Sequence, residues 1–355
     1  MARVLMCLLG PMLLFSSRVT GQASALDYRV VVVSESGDIA TWLRPTAAGL
    51  ATDRVVPIGV MPSDIDGPHN VTVAPDGSSY YITVAHGTPF GSLWKLDVAS
   101  DSVLGRAPVE LFPTTISLTP DGKYAFVANS DFYGDHPRTN VVSVIYTPTM
   151  AKITDIPACD MPHGVKVNHQ GTRVYVTCMH SDELLQLEVA TFGILQRAKT
   201  GPGGHACSPT FVSVSPDDRR LYVACNSGST LQVWDAATFR PLQEIPVGKG
   251  AYNVEPSPDG KVVIVTNKKD QSVSIIDAAT MAEVARVPTS KKVVHGVAYS
   301  PNGRLAYISC ESIGSDPGAV DVIDLGSRKR IASVTVPGQP TGVTIVAAHA
   351  LAGRQ

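Results

Sequence analysis

His69, His163 and His295 each stand eight residues before the last residue of a turn resembling Pro75-Asp-Gly77, at Gly77, Gly171 and Gly303. Cys178, Cys225 and Cys310 each stand seven residues after one, counted from Gly171, Asp218 and Gly303. Imidazole and thiolate donors suit copper or zinc, and imidazole also serves as an axial ligand to haem iron. Two of the turns carry both residue types. A hairpin register centred on them sets His163 opposite Cys178 and His295 opposite Cys310, within side-chain contact. The same residues have a plainer use, since His can cap a strand end and Cys fills small buried spaces. No close C-x-x-C or H-x-x-x-H pair adds to the metal case. There is no C-x-x-C-H haem attachment sequence and no G-x-S-x-G nucleophile elbow.

A repeat must position these residues. Turn-terminal residues at 77, 122, 171, 218, 260 and 303 are spaced 42–49 apart. Before each lies one strand-like block, from His69, Thr114, His163, Thr210, Tyr252 and His295 respectively. After each lies a run rich in Val, Ile, Tyr and Thr, such as Val174-Tyr-Val-Thr-Cys178, followed by a third and a fourth run. Four short strands at this period make a propeller blade. Six units are complete. Tyr28–Val60 lacks a first strand, and Pro340–Val346 looks like a first strand with no blade after it. The expected fold is all-β, a seven-bladed β-propeller of four-stranded antiparallel blades, closed by strands from both termini. Residues 26–355 would form this one domain. The position eight before the turn (His69, Thr114, His163, Thr210, Tyr252, His295, Thr341) would then ring one mouth of the central channel. His69, His163, Tyr252 and His295 are the expected ligand-binding lining. A metal site there would draw on His69, His163, His295, Cys178 and Cys310, with copper, zinc or haem iron as the cofactor.

The second strands and their sequels resemble the YVTN family of β-propeller repeats. Ile264-Val-Thr-Asn267, Phe126-Val-Ala-Asn129, Tyr175-Val-Thr-Cys178, Tyr222-Val-Ala-Cys225 and Tyr307-Ile-Ser-Cys310 carry the first part of that pattern, and Val273-Ser-Ile-Ile-Asp277 and Val320-Asp-Val-Ile-Asp324 the second. The resemblance is specific for fold and broad for function. It implies kinship with exported binding and surface proteins, with the propellers of cytochrome cd1 and nitrous oxide reductase, and with seven-bladed lactonases. The role expected is a non-catalytic binding or scaffold protein holding a protein or small molecule over the channel-mouth face. The alternatives are a metal- or haem-dependent redox protein and a lactonase-like hydrolase.

Arg3, the apolar run Val4–Phe15 and Ala23-Ser-Ala25 match a secretory leader cleaved after Ala25. Export to the periplasm or the medium is expected, with no membrane span remaining, and a closed ring is expected to be monomeric. An oxidising compartment permits disulfides. Five cysteines remain, and Cys159 and Cys207, each just before a first strand, are candidates to pair. With 44% hydrophobic residues the 355-residue chain can bury a core, and a net charge of −2 leaves no basic footprint for nucleic acid. Lys268-Lys269 and Lys291-Lys292 read as solvent-facing turns. Ser130–Thr139, with Asp131, Asp135 and His136, reads as a solvated insertion.

Overall fold

A computed structural model describes residues 28–60, 65–86, 91–132, 140–312, 316–347 and Leu351. The leader expected at residues 1–25 lies outside them, as do Asp135 and His136 of the insertion. Among the described residues, 28 strands form seven four-stranded antiparallel sheets. Blade 1 joins Pro340–Ala347 to Tyr28–Ser34, Ile39–Thr46 and Gly49–Pro57, so both ends of the chain share one sheet. Blades 2 to 7 begin at Pro68, Pro113, Pro162, Pro209, Ala251 and Val293. The chain is thus a seven-bladed β-propeller. Closing the ring through blade 1 removes the open edges that a linear array would expose.

Second strands are buried along nearly their whole length, as in Arg220–Cys225, whereas outer strands such as Arg240–Pro246 are mostly exposed. The core lies between blades, where faces of neighbouring second and third strands meet. The cluster of Phe126, Val142, Val144, Val165, Val174 and Leu185, for example, joins blades 3 and 4.

The two ends of the ring differ. One carries the Pro-Asp-Gly turns and the third-to-outer turns, which are stereotyped. Ser215, Ser257 and Thr119 hydroxyls donate to Asp217, Asp259 and Asp121 in the first kind. Asp235 and Asp277 accept from the Thr238 and Thr280 backbone in the second. The other end carries the connections between blades and the second-to-third loops, where the repeat varies. The three histidines lie at that end.

The expected hairpin register fails at both histidine–cysteine pairs. Pro162, not His163, faces Cys178, and Val294, not His295, faces Cys310. His163-Gly164 and His295-Gly296 each oppose a single residue, Thr177 or Ser309, in a β-bulge. The same irregularity recurs at His69, Thr114, Thr210, Tyr252 and Thr341. A bulge turns its extra side chain out of the pleat, and seven of them line one mouth of the channel.

Candidate functional site

In blades 3 to 7 a hydroxyl lashes the bulge to the next blade, and its position decides what reaches the channel. In blades 4, 6 and 7 it comes from the second strand. Thr177, Thr266 and Ser309 donate to the carbonyls of Thr210, His295 and Thr341 at 2.7, 2.9 and 2.5 Å. In blades 3 and 5 the second strand has Ala128 and Ala224, and the bulge residue supplies the hydroxyl. Thr114 bonds the His163 carbonyl at 2.9 Å and Thr210 the Tyr252 carbonyl at 2.6 Å. Blades with a second-strand hydroxyl are therefore free to place a ring at the bulge, and those rings are His69, His163, Tyr252 and His295. Gly164 and Gly296 follow two of them because a Cβ would fall 2.7 Å from a carbonyl, of Thr210 or Thr341, on the first strand of the next blade.

The four rings meet. His69 and His295 centroids are 5.3 Å apart, Tyr252 and His295 4.7 Å, and His163 and Tyr252 5.4 Å, all edge to face. Phe112 and Phe211 fill the gaps, against His69 and His163 respectively. All six are buried. Phe132, 38% exposed, lies against Phe112 and His163. Together they plug the channel.

The position one residue beyond the Asn/Cys strand end adds charge that the sequence reading passed over. Across blades 6, 7 and 1 it holds Lys268, Glu311 and Glu35. Lys268, read as a solvent-facing turn residue, sits with its ammonium 4.1 Å over the Tyr252 ring and 3.2 Å from Glu311. Glu35 accepts from His69 Nδ1 at 2.6 Å and from His86 Nε2 at 3.2 Å. Counting eight rather than seven residues past each turn finds Lys268 and Glu311 directly. One arc of the mouth is thus polar and charged, and the arc of blades 3 to 5 is aromatic.

Protonation follows from these contacts. Burial opposes the charge on Glu35, but His69 and His86 outweigh it and hold the carboxyl at about 2. Burial, reinforced by His69, drops His163 to about 3. Burial and then Lys268 push His295 well below the usual imidazole range. Burial also opposes the Lys268 charge, yet Tyr252 and Glu311 keep it protonated above its ordinary range. His163 is neutral and fully engaged: Nδ1 faces the Thr210 carbonyl at 2.9 Å, and Nε2 accepts from the Tyr252 hydroxyl at 3.1 Å. Among the described residues, Nε2 of His69 and Nε2 of His295 are buried without a hydrogen-bond partner.

The cysteines lie elsewhere. Cys159 pairs with Cys178 and Cys207 with Cys225, so the expected Cys159–Cys207 bridge does not form. Each disulfide joins the connection entering a blade to the end of that blade's own second strand. Asn129 does the same work in blade 3, accepting from Glu110 N at 3.1 Å. The Cys310 thiol is 3.6 Å from the Asp321 carboxylate, away from the bulge, and burial pushes it well above its ordinary range. Cysteine therefore replaces Asn in a clasp. Cys178 is not a thiolate, His163 has no spare nitrogen, and the five-residue ligand set is not assembled. Among the described residues no three His, Cys, Asp or Glu side chains are grouped to hold a metal.

The sequence profile of the YNCE-like beta-propeller family matches residues 63–351. The chain belongs to that family. Comparison with curated proteins finds no match. Among solved structures, this YNCE-like propeller is similar to the periplasmic gluconolactonase PpgL of Pseudomonas aeruginosa, at 20% identity and TM-score 0.74 over 90% of this chain and 99% of that one. It is similar to hydrazine synthase of Kuenenia stuttgartiensis, at 22% identity and TM-score 0.68 over 81% and 93%. It is also similar to the dihydro-heme d1 dehydrogenase NirN, at 18% and 0.60 over 94% and 78%. At these identities the likeness is one of fold.

Proposed function

We propose that this protein is an exported, non-catalytic binding propeller that holds a small molecule at the His/Tyr mouth. The observation that carries the reading is the pair of buried nitrogens, Nε2 of His69 and Nε2 of His295, that have no hydrogen-bond partner among the described residues, the second of them 3.8 Å from Glu311 of the Lys268–Glu311 ion pair. A buried polar atom without a partner costs about 1–3 kcal/mol, and a ligand is one way to satisfy it. Lys268, His86 and Phe132 are the partly exposed members that would meet the ligand first. Two disulfides and the leader-like segment support export. Thermal-shift titration with phenethylamine, phenylacetate and δ-valerolactone tests it, using the wild type and His295→Gln. One probe should stabilise the wild type saturably and lose at least tenfold in the variant. Equal shifts for both proteins, or none for the wild type, refute the mouth as a binding site. Elemental analysis of untagged protein tests the copper, zinc or haem reading alongside.

One observation favours a hydrolase as a second reading. An ionised Glu35 orients His69 through Nδ1, leaving Nε2 bare, the arrangement of a general base held by a carboxylate. The similar PpgL is a gluconolactonase. Hydrolysis of glucono-δ-lactone above the spontaneous rate, abolished in His69→Gln, would replace the non-catalytic reading. No excess rate would remove this one.

A further inference from the structure

Below the plug the channel continues as a well of about 550 Å³ open toward the Pro-Asp-Gly end, and it is separate from the mouth. Phe211 divides the two, touching His163, Tyr252 and His295 on one side and lining the well on the other. The volume is in the range of small-molecule sites.

The repeat shows what is unusual in its wall. Five residues before each turn-terminal residue the chain has Thr72, Ser117, Lys166, Ser213, Glu255 and Ala298, with Thr344 in the closing strand. Four are hydroxyls and one is alanine. The exceptions, Lys166 and Glu255, come from blades 4 and 6 and meet each other, Nζ lying 2.9 and 3.2 Å from the two carboxylate oxygens. Ser213 of blade 5 donates to the same carboxylate at 2.9 Å, and the Tyr299 hydroxyl donates to the Glu255 carbonyl. The pair bridges two non-adjacent blades and is 30% exposed on each side. Asn70 and Asn253 add amides, and Phe211 and Tyr299 add rings. His169 stands at the rim, already paired with Asp218.

We propose that this well binds a small uncharged polyhydroxy compound, of the size of a simple sugar or sugar alcohol. The charges of the wall cancel, so a charged ligand meets no net counter-charge. An ammonium and a carboxylate about 3 Å apart present a donor and an acceptor together, which matches two neighbouring hydroxyls and is stronger than a neutral pair. The surrounding hydroxyls and amides satisfy further hydroxyl groups, and the rings cover the C–H faces of the ligand.

Isothermal titration with D-glucose and D-mannitol, against D-glucuronate and D-glucosamine, tests this. A neutral probe should bind saturably and more tightly than either charged one. Ala298→Leu, which fills the lumen, and the double variant Lys166→Met/Glu255→Gln, which removes the pair at similar volume, should each weaken it at least tenfold, with folding checked by circular dichroism. His295→Gln should leave it unchanged. Absence of saturable binding by both neutral probes, preference for a charged one, or loss in His295→Gln with retention in Ala298→Leu would overturn the proposal. The last result would place the ligand at the mouth instead, so the two sites fail separately.

Discussion

A third clasp should form if Lys291 is replaced by cysteine. Native disulfides link residues separated by 19 and 18 positions, the later one ending a second strand. Cys310 holds the matching position in the second strand of blade 7, and its thiol is met by the backbone of Lys291, 19 residues earlier. Closing a loop of this length lowers the entropy of the unfolded chain by about 11 cal/mol/K, or roughly 3 kcal/mol at 25 °C. With an unfolding entropy near 2 cal/mol/K per residue over some 320 residues, the melting temperature should rise by about 4–5 °C. The buried thiol of Cys310 is a poor nucleophile, so the variant should be refolded in a glutathione buffer. Mass spectrometry under non-reducing conditions would show the 291–310 peptide linked, and calorimetry would give the shift. Free thiols at both positions after oxidative refolding would refute the clasp reading of this strand position. So would a linked variant that melts no higher than wild type.

Other outcomes follow from the same geometry. Thr266→Val leaves the His295 carbonyl and Asn253 N–H without their shared hydroxyl and should cost about 1–3 kcal/mol in urea denaturation. Glu35 has its folded pKa below the unfolded one, so its contribution of about 3 kcal/mol is present above pH 4.5 and lost as pH falls toward 2. Glu35→Gln should remove that part of the acid sensitivity. His163 stays neutral in the fold down to about pH 3, while the unfolded chain gains a proton below 6.5, so this residue also lowers stability as pH falls through that window. His163→Gln should flatten the stability profile there by up to about 1.4 kcal/mol per pH unit. Both profiles are read from denaturation midpoints at a series of pH values.

The blades were legible because each hairpin turn repeats nearly the same residues, and each turn fixes the strands on both sides. The bulges were not, because an extra residue leaves the hydrophobic alternation of a short strand almost unchanged. That one-residue slip misplaced the partners of Cys178 and Cys310 and made them seem to face histidines. The ring of His69, His163, Tyr252 and His295 survived the slip, since all seven blades share it. Lys268 was misread as a solvent-facing turn residue, and Glu311 and Glu35 were missed, because they lie one step past the last position at which the strand pattern repeats. Nothing in the cysteine spacing separates a clasp within one blade from a bridge between two. Asn129 was the available clue, since it marks that strand position as a bonding one.

The seam in blade 1 also imposes a sequence in time. Val33 and Thr341, neighbours across it, are 308 residues apart along the chain. The segment Tyr28–Ser34 leaves the ribosome early and waits for its partner until Pro340–Ala347 has followed. Contacts so distant form late. In the interval the finished blades form an open array whose last blade has only its earlier neighbour, and the earliest strand keeps one row of amides and carbonyls unsatisfied, a template for pairing with another chain. The two native disulfides need no such delay, because each closes within one blade. A truncation that ends before residue 340 would hold the molecule permanently in its vulnerable interval, with six blades built and no means of finishing the ring.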